Sequence, residues 1–191
     1  AIILAGGENT RYGDNKALID LGGKPLIKII IDKIAPLFNK VYVVTNNTSD
    51  YYSLDNIEIV KDLYPDNRST LEAIYSGLKA SDDKDNMVFA CDMPYLNTNL
   101  IQYMLNNIKD YDLVMPVIKG KPVAFHTIYT KNCLQTMENA LEKKHKKVSR
   151  IFRELNVKYI QEDKLKELDP DLNSFFHIKT FVDYLVAQKD F

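Results

Sequence analysis

One stretch near the amino end gathers groups suited to polyphosphate chemistry. Leu4-Ala5-Gly6-Gly7-Glu8-Asn9-Thr10-Arg11-Tyr12-Gly13-Asp14-Asn15-Lys16 follows an apolar run that reads as a buried strand. Adjacent glycines let the backbone turn sharply and bring N–H groups to an anion with no Cβ in the way. Arg11 and Lys16 add two positive side chains, which suits a triphosphate. The spacing is not the dinucleotide fingerprint, since no G-x-G-x-x-G occurs. Nor is it the P-loop, since no G-x-x-x-x-G-K precedes Ser or Thr. A Gly-Gly pair alone reads equally as a solvated surface turn. Arg11, Gly13 and Lys16 together, at the carboxyl end of a strand where α/β sheets hold ligands, favour phosphate binding.

A carboxylate completes the set. Cys91-Asp92-Met93-Pro94 follows another strand-like run, so Asp92 is expected to leave the sheet at the same edge. Mg²⁺ keeps several waters and takes further oxygens from a bound phosphate, so one well-placed aspartate can hold it. The plainer alternative is an aspartate in a turn before proline.

The elements that must position these groups alternate between short β-branched or apolar runs and longer stretches of helical period, as β-α-β units on a mainly parallel sheet do. Strands are predicted at 2–5, 40–45, 57–61, 87–91, 112–117 and around 123–128. Helices are predicted at 25–38, where Leu26, Ile29, Ile30, Ile34 and Leu37 share a face, and at 70–80, 98–107 and 131–143. The segment 148–155 reads as further helix after the tract Lys143-Lys144-His145-Lys146-Lys147. The last helix is expected to be capped by Asn173 or Ser174, with Ile178, Phe181, Val182, Leu185 and Val186 on its apolar face. With no repeat, linker or shift of composition, the chain reads as one domain over 1–191. The expected class is α/β, a three-layer sandwich around an open, Rossmann-like sheet.

Composition narrows the function. The 191 residues carry 25 Lys plus Arg against 26 Asp plus Glu, a net charge of −1, which argues against coating a nucleic-acid backbone. A chain of this length buries about 70% of its unfolded surface and needs no staple. Cys91 and Cys133 have neither metal-ligand nor C-x-x-C spacing and suit an apolar core. No apolar run approaches the ~20 residues of a membrane span. The first five residues are too short, and lack the basic flank, for a signal peptide. A cytoplasmic location is therefore expected, with one or more residues before Ala1 missing or processed.

The glycine run resembles the L-A-G-G-x-x-x-R-M-G-x-x-K signature of the sugar-nucleotide-type nucleotidyltransferases, and Gly23-Lys24-Pro25-Leu26 matches the G-K-P-L that opens their first helix. Within that superfamily the chain is most similar to the molybdenum cofactor guanylyltransferases. The resemblance is strongest through Leu26 and at Cys91 to Pro94, where the pattern C-D-x-P is complete. It implies GTP as nucleotide, molybdopterin as acceptor, Mg²⁺ as cofactor, and transient docking to a molybdoenzyme or its chaperone. It implies nucleotide contacts at Leu4, Ala5, Gly6, Gly7, Lys16, Asn46, Asp62 and Asp92, catalytic roles for Arg11, Lys16 and Asp92, and the metal on Asp92. In the implied reaction a phosphate-bearing acceptor attacks the α-phosphorus and pyrophosphate departs. The nucleophile is already an anion, so alignment and charge neutralisation are what the protein must supply.

The chain also departs from the pattern. Relatives carry G-P-L-x-G-I where it reads Ser69-Thr70-Leu71-Glu72-Ala73-Ile74, and a segment without its glycines cannot approach a ligand as closely. Arg68 suits a phosphate or base contact as well as a solvated loop. Asp171-Leu172-Asn173-Ser174 resembles the N-x-N-T that precedes P-E-D-L at the last helix. Here Asn173 reads as a helix cap, and Asp171 as a group that could reach the metal or the acceptor. His126 reads as a packed histidine, while His145 and His177 have no partner spacing. The lysine tract and Arg150 suit either a solvated helix end or the acceptor's phosphate. Two alternatives stay open: the same transfer with CTP or another triphosphate, to molybdopterin or a phosphorylated sugar or alcohol, and a nucleotide-binding regulatory protein without turnover.

Overall fold

The computed structural model describes residues 1–6, 15–64 and 69–191. Its first strand, β1 (Ile2–Leu4), is buried on both faces. Alternate side chains of a strand point to opposite faces. Ile3 accordingly enters one apolar layer, while Ile2 and Leu4 enter the other.

The chain continues through a two-stranded ribbon, β2 (Asp20–Leu21) and β3 (Lys24–Pro25), into α1 (Leu26–Ile34), then β4 (Tyr42–Thr45) and β5 (Glu58–Lys61). Next come α2 (Thr70–Ala80), β6 (Asp85–Ala90), α3 (Thr98–Leu105), β7 (Leu113–Ile118), β8 (Lys121–Pro122), β9 (Thr127–Thr130) and α4 (Cys133–Glu142). The last elements are β10 (Val157–Ile160), α5 (Glu162–Leu168) and α6 (Phe181–Gln188). The main sheet has the order β10-β7-β9-β6-β1-β4-β5, with β8 added to β7. Along that path only β9 runs against its neighbours. Buried residues of α1, α3 and α5 fill one side of the sheet and those of α2 and α4 the other, which is the expected three-layer α/β arrangement.

Four parallel strands side by side, β6-β1-β4-β5, carry the site. Leu4 is in register with Val44 and Ala90, and Thr45 with Lys61. Gly6, Asn46, Asp62 and Asp92 each follow one of these strands by one or two residues, so they emerge along a single edge.

Several expectations are corrected. The strand expected at 123–128 pairs only from Thr127 onward. Before it, Val123 N donates to Pro116 O, and His126 takes φ 57, a left-handed turn that regular pairing excludes. The segment 148–155 forms two single 3₁₀ turns, Val148–Arg150 and Phe152–Glu154, instead of a helix. The first helix closes at Ile34 into a 3₁₀ turn containing Pro36, which has no N–H to continue the ladder. The strand β10 went unread because it is only four residues long, and the helix α5 because its short run is mostly charged.

The largest correction is at the end. Asn173–Phe175 is a 3₁₀ turn; the last helix begins at Phe181, capped by Thr180 in a reciprocal box with Asp183. Ile178 is buried before the helix starts. Phe181, Val182, Leu185 and Val186 are exposed on it, so the expected inward face points outward.

Gly77 lets α2 lie close to the sheet. A Cβ there would stand 2.6 Å from Ile2 Cγ2 and 3.0 Å from Val44 Cγ2. Gly77→Ala is therefore expected to be destabilising by about 1–3 kcal/mol from overpacking, less up to about 1 kcal/mol of helix propensity. Urea unfolding measures the difference; an unchanged or higher midpoint contradicts this packing.

Candidate active site

The two described ends of the glycine loop are tied together. Asn15 Nδ2 donates to Asp50 Oδ2 at 2.9 Å and to the Tyr51 hydroxyl at 2.8 Å, and that hydroxyl donates to the Ala5 carbonyl at 3.3 Å. Tyr51 is fully buried, and its burial pushes the phenol up to about 12, so it stays a donor at neutral pH. Asn15 also caps a 3₁₀ turn, Lys16–Leu18, by accepting from Ala17 N at 3.1 Å. This turn aims Lys16 inward.

Lys16 Nζ meets Asp92 Oδ2 at 2.6 Å, with 8% and 14% of the two side chains exposed. The other oxygen, Asp92 Oδ1, lies 2.6 Å from His177 Nδ1. Burial pushes the Asp92 carboxyl upward, but the hydrogen bond and attraction of His177, followed by those of Lys16, outweigh it and hold the group below its ordinary range. It is a carboxylate throughout the neutral range. Beside it, burial pushes the Cys91 thiol up to about 12, so no thiolate competes there.

Leu4, Gly6, Lys16, Asn46, Asp62 and Asp92 line one cavity of about 440 Å³. Asp62 Oδ1 is anchored by Tyr64 N at 3.0 Å and by the Ser76 hydroxyl at 2.9 Å. Asn46 Oδ1 is shielded from water and has no hydrogen-bond partner among the described residues, so a donor or cation brought by a ligand would satisfy it. Ser69, Thr70 and Ala73 form a further wall. The segment without glycines has become a helix start: the Ser69 hydroxyl accepts from Glu72 N, and Glu72 Oε2 accepts from Ser69 N at 2.7 Å. The positive end of the α2 dipole thus faces the cavity.

Of the expected contacts, Ala5, between Leu4 and Gly6 in the chain, does not line the cavity. Gly7, Arg11, Gly13 and Arg68 lie outside the described residues. Asp171 is exposed and does not line the cavity, and Asn173 caps no α-helix. His126 is packed as expected, with its ring between Phe89 and Phe175 and its pKa lowered by burial to about 3. His177 and Lys179, which sequence reasoning did not place, both line the cavity. Lys146 and Lys147 line a shallower recess that shares Thr70 and Phe125 with it.

Residues 1–159 match the family of MobA-like NTP transferase domains. The chain belongs to this family. A probable molybdenum cofactor guanylyltransferase of Natranaerobius thermophilus is 33% identical over 99% of this chain and 94% of its own. The molybdenum cofactor guanylyltransferase of Desulfosudis oleivorans is also 33% identical, over 94% of this chain and 89% of its own. Among solved structures, molybdopterin-guanine dinucleotide biosynthesis protein A from Archaeoglobus fulgidus superposes with a TM-score of 0.85 at 25% identity, covering 99% of this chain and 96% of that one.

As a MobA-like NTP transferase, the chain is a nucleotidyltransferase. The start of the last helix has its signal in Thr180-Phe181-Val182-Asp183, a capping sequence of the T-x-x-acid type.

Because the folded Asp92 titrates below its ordinary 3.8, the stability it contributes is complete above that value and is lost as pH falls through the folded pKa. Lys16→Met and His177→Asn each remove a partner while leaving the burial. Both are expected to raise the Asp92 pKa, followed by carboxyl-carbon NMR titration, and to shift acid destabilisation to higher pH. An Asp92 that titrates unchanged in both variants would contradict the arrangement.

Proposed function

We propose that this chain acts as one unit over 1–191 that transfers GMP from GTP to molybdopterin, with Mg²⁺ as cofactor and release of pyrophosphate. The observation that carries the reading is the meeting of Lys16 and Asp92 on the wall of a cavity that Gly6 opens. The relatives named guanylyltransferase supply the base and the acceptor.

The residues fit a dication. Asp92 is a carboxylate held ionised on the cavity wall, and no thiolate stands beside it. Bound there, Mg²⁺ supplies neutralisation of charge on the phosphates. The protein's own groups do the rest. Gly6 leaves room for the triphosphate against the backbone of β1, and Lys16, released from Asp92, neutralises a phosphate oxygen. Arg11 adds the second cation. Asp62 and Asn46 offer acceptors along the neighbouring strand ends, where a nucleoside's hydroxyl or N–H donors can reach. The acceptor's phosphate enters from the recess at Lys146 and Lys147 and attacks in line with the departing pyrophosphate; as an existing anion it needs no general base.

Ala73 keeps a second reading in view. It lines the cavity where the family pattern has glycine, and its methyl group narrows the approach for a base, so the same fold could select CTP or another triphosphate.

Pyrophosphate release, measured for GTP, CTP, ATP and UTP with molybdopterin, tests both readings. GTP is expected to be preferred, and a preference for CTP would install the second. Asp92→Asn and Lys16→Met are each expected to lower kcat/KM by about 10²–10³-fold with an unchanged circular dichroism spectrum. Near-normal turnover in either variant overturns the assignment. Charge reversal at Lys146 and Lys147 is expected to raise KM for the acceptor and leave that for the nucleotide unchanged.

A further inference from the structure

We infer that Tyr95 and Asp190 are positioning residues whose hydrogen bond clasps the end of α6 over the β2–β3 turn and thereby sets where Lys16 meets Asp92. The inference deepens the nucleotidyltransferase reading and rests on it for its kinetic consequence alone. Asn15 fixes the amino side of the turn that carries Lys16. On its carboxyl side the turn runs straight into the ribbon, where Leu26 N donates to Ile19 O at 2.9 Å. A ribbon of two strands, each two residues long, is marginal in water without a cover. Whatever covers the ribbon therefore decides how firmly Lys16 is aimed.

The cover is the end of α6. Asp190 N donates to Ala187 O at 3.0 Å, and the Phe191 backbone then lies on the turn of the ribbon. Gly22 permits that approach: its φ is 65, and a Cβ there would stand 2.5 Å from the Phe191 carbonyl oxygen. Beneath, Leu21, Leu26, Ile178 and Ala187 form a small apolar cluster of their own, with Tyr95 packed against it. So small a cluster is a modest seal, and a polar contact closes it. The Tyr95 hydroxyl donates to Asp190 Oδ2 at 2.6 Å, the length of a charge-assisted bond, which is roughly twice as strong as a neutral one. Burial, then the hydrogen bond and charge of Asp190, push the phenol above its ordinary value, so it remains a donor. An aspartate just past the carboxyl end of a helix opposes the dipole, so α6 does not account for Asp190, whereas Tyr95 does. The Tyr95 ring lies 5.5 Å from those of both Phe176 and Phe191. Tyr95 is three residues beyond Asp92 and Gly22 six beyond Lys16, so the clasp joins the two segments that bring the ion pair together.

The test is ¹⁵N NMR of the full chain without nucleotide, following the Lys16 ammonium, assigned by its loss in Lys16→Met, and hydrogen exchange at the Leu26 amide. Tyr95→Phe, which keeps the ring, and Asp190→Ala are each expected to shift the Lys16 signal and to speed Leu26 exchange by about tenfold. The double variant is expected to do no more than either single one, since the two residues act through one bond. Asp190→Asn, whose side-chain oxygen still accepts, is expected to keep the signal of the unaltered protein. In pyrophosphate release from GTP, Tyr95→Phe and Asp190→Ala are expected to lower kcat by about tenfold, short of the roughly 10²-fold that a misplacement of about 1 Å can cost, and to leave KM for molybdopterin unchanged. An unmoved Lys16 signal in both variants overturns this inference and leaves the proposed function standing, as does a moved signal with unchanged kcat. A moved signal in a protein whose unaltered form releases no pyrophosphate from any triphosphate overturns the proposed function and leaves the clasp standing.

Discussion

The ion pair between Lys16 and Asp92 is the constraint around which the rest of the site is arranged. Two charges that keep only 8% and 14% of their side chains exposed lose most of their hydration, and a buried pair seldom regains that cost as net stability. Such a pair makes physical sense where a ligand will divide it. A polyphosphate offers Lys16 several anionic oxygens, and a dication offers Asp92 a stronger partner. In the free protein each group neutralises the other, so neither is left as an unpaired charge in a partly desolvated wall. Under the proposed function the pair stands in for substrate charge.

Holding those two residues together takes the whole parallel half of the sheet. Lys16 comes from a turn after β1 and Asp92 from the end of β6, strands that are neighbours in register. Gly77 brings α2 down onto Ile2 and Val44, which sets Ser69 and Ala73 against the same strand ends. Tyr51, from the segment after β4, ties Ala5 to Asn15 across the base of the loop. No one of these contacts is chemistry. Together they fix where a flexible lysine ends, and positioning of that kind is what an in-line displacement with a pre-charged nucleophile demands.

Much of this was legible in the residues because parallel strands end at a common edge. Once 2–5, 40–45, 57–61 and 87–91 are read as strands, the residues that follow them must be near one another, and Gly6, Asn46, Asp62 and Asp92 are. What could not be read was contact across chain segments with no shared period. His177 finds Asp92 through an extended passage after a 3₁₀ turn, and neither partner carries a local mark of the other. The last helix misled for a different reason. Apolar residues at 178, 181, 182, 185 and 186 have helical spacing, but spacing does not state where the helix begins or which side is covered. The capping residues do state it: Thr180 with Asp183, like Ser69 with Glu72, marks the boundary that periodicity blurs.

His126 and His177 show how neighbours decide what a residue type means. His126 takes part in no hydrogen bond through its ring among the described residues and lies fully buried against the rings of Phe89 and Phe175. Burial with nothing to offset it makes the charged form prohibitive, and the ring behaves as an apolar plate. His177 stands close by in the fold, its ring against Phe125, the residue before His126, yet it faces a carboxylate and an open cavity. The same imidazole there has a lone pair or a proton to offer, and a partner that wants one. Sequence records the two histidines identically. The difference between them is created by the left-handed turn at His126, which directs one ring into the core, and by the backbone bond from Ile178 to Asp92, which brings the other to the edge where charge is handled.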